Sequence, residues 1–340
     1  MCQTQQGLKM IRPYAGSADR VEKIYDLLEH LRETGHTQID QFLRNEEGSL
    51  VSTDKDGISY IVKDWWDDRE CDARSGSDVI KAVKTLACVH KNMFLPFEEK
   101  RKEQLSVQVP PSDEAVLTEM GHASDTDLEQ KTEIISKRQG DKELHGPDLR
   151  DVYRRHNQEL KKIREFIRKR KQKNSFEYMC LEHMPRYMEY GQETLHRLMK
   201  SSYEEMRLED KEKRCVCHNA CTQHSFLMAK EGVILVNYEH YCYDNHMADL
   251  AQFMRKVLEK HAWNRNLADK IIKGYDEVNP LSKDQYEQLV LRLSYPEKFW
   301  KIVNFYYNNN KAFFPERNVE KLIHQMENES NWLTFIEHLH

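Results

Sequence analysis

The sequence predicts an α+β protein in two lobes, a small strand-bearing N-terminal part and a large, mostly helical C-terminal part. Three observations predict it. β-Rich runs around a turn fall within residues 1–65. Apolar residues recur every three to four positions through most of 148–340, the spacing of a buried helix face. A polar stretch over 94–147, punctuated by Pro110-Pro111, Gly121, Gly140 and Gly146-Pro147, separates the two patterns and reads as an insertion, partly helical and partly mobile. Residues 66–93 lie between the strand-bearing part and the insertion and carry a helix over 77–92.

In chain order, Gly7 to Ile11 reads as a short strand. Ser17 is an N-cap for a helix over 18–33, where Val21, Ile24, Tyr25, Leu28 and Leu31 share a face and Gly35 supplies the stop. Ser49–Thr53 and Ile58–Trp65 flank Asp54-Lys55-Asp56-Gly57, a hairpin signal. A helix over 77–92 carries Val79, Val83, Leu86, Ala87 and His90 on one side. From 148 to 210 the pattern is helical. Between Arg150 and Lys173 stand 11 basic and 3 acidic residues, opposite a stripe of Leu149, Val152, Tyr153, Leu160, Ile163 and Ile167. Such a face is either solvated surface or a contact for an acidic partner, with Arg168, Lys169 and Arg170 the candidate contact charges. A turn at Lys230-Glu231-Gly232 precedes a strand over 233–238. The last 90 residues are helical, with a capping box at Ser282 and Gln285 and a dense run of aromatics from Tyr295 to Phe314.

Composition excludes several classes. The chain has 340 residues, 52 basic and 57 acidic, and a net charge of −5, which argues against wholesale nucleic-acid binding. No apolar run of about 18 residues is present, so no membrane-spanning helix is expected. The opening Met1-Cys2-Gln3-Thr4 lacks a basic then apolar region, so export by a signal peptide is not expected. Eight cysteines in 340 residues are too sparse for a disulfide scaffold and predict buried thiols in a reducing compartment.

The densest chemistry lies at 215–250. Cys215, Cys217, His218, Cys221 and His224 are zinc-ligand types, but their spacing fits no common zinc pattern, and successive strand residues point oppositely. A phosphotransfer loop of the form His-Gly-Asp-x4-Asn fits the layout better. In it the Asp orients the attacking hydroxyl and the Asn holds magnesium, and a hairpin follows that ends in a second metal-binding Asp. Here His218 is followed two residues later by Ala220 and five further on by Ser225, then a hairpin, then Asn237-Tyr238-Glu239.

Five stretches together resemble the CotS family of bacterial spore coat proteins, which have the protein-kinase-like fold of aminoglycoside and choline phosphotransferases. They are Lys63-Asp64-Trp65-Trp66-Asp67-Asp68-Arg69-Glu70-Cys71, Leu86-Ala87-Cys88-Val89-His90, Cys217-His218, Ala248-Asp249-Leu250-Ala251 and Tyr295-Pro296-Glu297-Lys298-Phe299-Trp300. The resemblance covers 8–93 and about 148–322. It implies a truncated N-lobe sheet and a C-lobe carrying the loop. It also implies a nucleotide cleft bordered by Lys9, Trp65, Trp66 and Asp67, with Glu22 or Glu29 pairing with Lys9. Seven residues precede Leu8, so no Gly-rich phosphate turn is expected ahead of that strand.

The departures are chemical. The family's loop Gly falls on Asn219, its catalytic Asp on Ala220, its magnesium-binding Asn on Ser225 and its hairpin Asp on Asn237. A methyl group accepts no proton, and magnesium favours charged oxygens. The expectation is a pseudokinase with no catalytic or metal residues and no cofactor, with His218, Ala220, Ser225, Asn237 and Glu239 as degenerate positions. As a coat component or assembly protein, it would be made in the mother-cell cytoplasm, deposited in the spore coat, and partnered by other coat proteins. Two alternatives use the same cleft. One is a small-molecule phosphotransferase with ATP and magnesium, Glu239 or Asp244 serving the metal. The other is a nucleotide-binding module without turnover.

Overall fold

The computed structural model describes residues 1–36, 38–95, 144–308 and 315–339. It has two lobes, one built on a small sheet and one mostly helical. Strands β1 (Cys2–Thr4), β2 (Gly7–Pro13), β3 (Ser52–Thr53) and β4 (Ser59–Asp64) form one antiparallel sheet in the order β1-β2-β4-β3. The Asp54–Gly57 turn joins β3 to β4, with the Gly57 amide donating to the Asp54 carbonyl at 3.1 Å and Gly57 at φ +78°, a conformation that suits glycine. β1 was not legible beforehand. It is three residues long and pairs with β2 across a turn at Gln5 and Gln6.

Helix α1 (Ala18–Glu33) starts where Ser17 accepts a hydrogen bond from the Arg20 amide. Val21, Ile24, Leu27, Leu28 and Leu31 are fully buried, each worth roughly 1.5–3 kcal/mol of apolar burial. α2 (Gly76–His90) is capped by Ser75 in the same way. Between them the chain crosses from sheet to helical lobe. Met228 N donates to Arg69 O and Cys71 N to Phe226 O, both at 2.8 Å, so this crossing segment runs alongside the hairpin β6 (Phe226–Ala229) and β7 (Gly232–Leu235), which follows the short strand β5 (Val216–Cys217).

The helical lobe contains α3 (Leu149–Lys169), α4 (Ser175–Lys200), α5 (Tyr203–Glu212), α6 (Met247–Leu258), α7 (Arg265–Asp276), α8 (Lys283–Ser294), α9 (Glu297–Asn308), α10 (Pro315–Glu327) and α11 (Glu329–Leu339). α3 and α4 lie along each other. Their approach needs Gly191, where an added Cβ would stand 2.5 Å from Asn157 Oδ1. The capping box predicted at Ser282 and Gln285 is present. Tyr295 stacks on Tyr153 and Phe299 on Tyr187, which makes these aromatics interhelical packing. Phe313, Phe314 and most of the 94–147 insertion lie outside the described residues.

α3 buries Tyr153, His156, Leu160, Ile163 and Ile167 and exposes Lys161, Lys162, Arg168 and Lys169. Arg170 differs from its neighbours. It bonds the fully buried Glu177 at 2.7 Å, so it is a structural ion partner rather than a free surface charge. Six of the eight cysteines are buried and all eight are free thiols. No described helix is long and apolar enough to cross a membrane.

Candidate functional site

The loop at 217–225 is held by one carboxylate. Asp249, at the start of α6, has no exposed surface. Its Oδ2 accepts the His218 amide at 2.6 Å and its Oδ1 the Asn219 amide at 2.8 Å. His90 approaches Oδ2 through Nε2 at 3.3 Å. A carboxylate only accepts, so Nε2 carries the proton, and His90 Nδ1 accepts a hydrogen bond from the Tyr275 hydroxyl at 2.8 Å. Burial pushes the Asp249 carboxyl up, but the His90 and His218 rings and the Asn219 amide outweigh it and hold the group below the usual aspartate value.

His218 is equally fixed. Its Nε2 faces the Val236 carbonyl at 2.9 Å and therefore donates, while Nδ1 accepts from the Ala220 amide at 3.2 Å. Burial lowers its pKa below the usual histidine value, against the pull of Asp249. Both ring nitrogens are spent on the backbone, so the ring shapes the loop. Asn219 sits at φ +61°, which explains how asparagine replaces the family's glycine there. Its Nδ2 donates to His240 O at 3.1 Å. The Ser225 hydroxyl donates to Ala220 O at 2.8 Å, closing the loop on itself. The Ala220 methyl faces no chemistry of its own.

The second half of the site is a buried ion cluster that the sequence reading missed. Lys63 on β4 has no exposed surface. Its ammonium donates to Asp40 Oδ2 at 2.7 Å, Glu239 Oε1 at 2.8 Å and Asn237 Oδ1 at 2.9 Å. Arg12 on β2 adds a contact to the same Glu239 oxygen at 3.1 Å. The Asn237 amide donates to Asp40 Oδ2 at 2.8 Å, with Asn237 in the left-handed region at φ +71°. Burial raises the Glu239 carboxyl, but the charge and hydrogen bond of Lys63, aided by Arg12, leave it below the ordinary glutamate value.

Lys9 is not the lysine of this site. In the β2–β4 register Lys9 stands opposite Asp64 and Met10 opposite Lys63. Successive strand residues point to opposite faces, so Lys9 and Lys63 project from different sides of the sheet. Lys9 ion-pairs with Asp64. Glu22, expected to pair with Lys9, bonds Arg44 instead, and Glu29 bonds Arg32 and Gln41. Of the other cleft residues, Trp65 and Trp66 pack on Leu227, Ile234 and Val236, the Lys63 ammonium lies 5.3 Å from the Trp65 ring centre, and Asp67 is exposed. Lys63 could have been suspected from the sequence, because a lysine inside an otherwise apolar strand needs a buried partner.

The groups left here do not fit a divalent ion. Asn237 Oδ1 and Glu239 Oε1 already bind an ammonium, and Asp244 turns to Arg292 at 3.5 Å. Among the described residues no group of three or more His, Cys, Asp or Glu side chains is placed to hold a metal ion. Cys217 Sγ points at the Asp244 and Asn245 carbonyls, and His224 leans out onto Glu70. Zinc-type ligands close in sequence are thus dispersed in space.

Two lobes with a crossing segment, a His-containing loop and a following hairpin make this a kinase-like fold. An aminoglycoside phosphotransferase from Alicyclobacillus acidocaldarius superposes with a TM-score of 0.76 at 16% identity, covering 98% of this chain and 87% of that one. The AMP-bound spectinomycin phosphotransferase gives 0.56 at 13% identity, covering 96% and 86%. At such identities the likeness is one of fold. Residues 150–339 match the family described as "Spore coat putative kinase YutH", and the chain belongs to that family. Spore coat protein S of Bacillus subtilis (strain 168) is 28% identical over 137 residues. That match spans 40% of this chain and 39% of the relative, well under half of each.

Proposed function

We propose that the protein is a non-catalytic, kinase-like component of the spore coat or of its assembly. The observation that carries the reading is the Lys63 ammonium, which draws Asn237 and Glu239 together. An internal cation stands on the oxygens that a metal-dependent transferase would offer to its ion. With Ala220 at the base position the loop also lacks a proton acceptor, a loss worth about 10²–10⁴ in rate. Phosphoryl transfer relies on positioning and charge neutralisation, so both defects act on the same step. The scaffold is spared, because Asp249 and His218 hold the loop through backbone groups.

The test is thermal unfolding of the full chain with ATP, with and without magnesium. No change in melting temperature is expected in either case. A shift that needs magnesium, with turnover abolished in Glu239→Ala, would replace the reading with an active phosphotransferase. A magnesium-independent shift would replace it with a nucleotide-binding module.

The exposed cations of α3 supply the surface for an acidic coat partner. The variant Lys161→Glu, Lys162→Glu, Arg168→Glu, Lys169→Glu is expected to fold normally and to enter the coat several-fold less well, measured by immunoblot of purified coats. Arg170 is left intact because its removal would strand buried Glu177. Unchanged incorporation rejects this surface.

A further inference from the structure

A second site lies in the helical lobe, away from the Lys63 cluster. A cavity of about 470 Å³ opens between α3, α6, α8, α9 and α10 and is bordered on one side by Asn219 of the loop. That volume lies in the range of small-molecule sites, about 300–1,000 Å³. Its wall carries six cations, Arg255, Lys256, Arg292, Lys298, Lys301 and Lys321. The carboxylates facing it are committed. Glu297 binds Arg255 and Lys301, Glu259 binds Lys298, Asp244 binds Arg292, and Asp249 holds the loop amides. No carboxylate among the described residues lies within ion-pair distance of Lys256, or of Lys321, whose ammonium rests over the Phe305 ring.

Two buried nitrogens of lining residues also lack partners. His156 is 5% exposed and stacks on Trp300, yet its Nδ1 has no hydrogen bond, and neither has Arg292 Nε. An unpaired buried polar atom is costly, and a ligand with acceptor oxygens that drew these side chains towards the cavity would remove that cost. We propose that this cavity binds a small polyanion, a molecule bearing two or more carboxylate or phosphate groups, held by Lys256, Arg292, Lys321 and His156. The electrostatics agree with the geometry. Burial, with Lys298 and Lys301 reinforcing it and Glu259 opposing it, lowers the Lys256 pKa, and burial lowers that of His156 to about 4. A bound anion would oppose both shifts.

The site is independent of the non-catalytic reading and uses no nucleotide, so the two fail separately. Calorimetric titration of the full chain with pyrophosphate and with citrate, at ionic strength held constant by sodium chloride, tests it. Saturable binding of either is expected, and which one binds better assigns phosphate or carboxylate. Lys256→Gln and Lys321→Gln should each weaken it roughly tenfold, the size of a lost charge-assisted hydrogen bond. The His156 ring, followed by NMR against pH, should titrate higher with the anion bound, which a purely structural histidine would not do. Binding of neither anion, or equal binding by the Lys256→Gln, Lys321→Gln double variant, overturns the proposal.

Discussion

Replacing Lys63 by methionine is expected to lower unfolding stability by about 3–5 kcal/mol, the usual result of removing one partner from a buried ion pair. The ammonium is the common donor for Asp40, Asn237 and Glu239, so its loss leaves buried Asp40 without its counter-charge and Glu239 with the Arg12 contact alone. It also removes the link between β4 and the segment after β7. Urea unfolding measures the change. The triple variant Lys63→Met, Asp40→Asn, Glu239→Gln should recover most of the loss, because a neutral cluster carries no stranded charge. A single-variant loss below about 1 kcal/mol would mean that the cluster is not closed as described.

The pH dependence follows from the same geometry. Glu239 lies below its ordinary value in the folded protein. Its contribution is therefore complete above the unfolded glutamate value and fades as pH falls through the folded one. In Lys63→Met the main influences holding Glu239 down are gone, and only a backbone hydrogen bond and Arg12 still oppose burial, so the variant gains relative to wild type on acidification. The stability difference between them should narrow as pH drops below about 4.

Replacing Asp249 by alanine is the second large effect. Three donors converge on that carboxylate, the amides of His218 and Asn219 and the His90 ring. Leaving them orphaned at about 1–3 kcal/mol each predicts a total cost of roughly 3–9 kcal/mol. Asp249→Asn keeps one acceptor oxygen and should cost less. Hydrogen exchange separates loop opening from global loss. The His218 and Asn219 amides should exchange faster than α6 amides in Asp249→Asn, and equal protection would remove the clamp.

The local pattern of this protein was legible in its sequence because local rules govern it. Ser17 and Ser75 accept from helix amides, the Asp54–Gly57 turn reverses the chain, and apolar spacing marked the buried faces of α1 and α3. The family landmarks carried the fold, since Arg69, Cys71 and Cys217 stand at its crossing segment and loop. Legibility failed where pairing partners are far apart. Lys9 and Lys63 both sit on strands of one sheet, and only the register with Asp64 and Met10 separates their faces. Arg170 reads as one more basic residue until buried Glu177 meets it.

The sequence by itself determined which groups are absent: no proton acceptor at 220, no carboxylate at 237 and a neutral hydroxyl at 225. Side-chain chemistry belongs to the residue and needs no fold to be read. Only the tertiary structure decided what took over. Asp40, Lys63 and Asn237 meet across 197 residues of chain, and Lys256, Arg292 and His156 border one cavity although they lie on three different helices. Electrostatic energy depends on distance in space and on exclusion of water, and neither quantity is written in the order of residues.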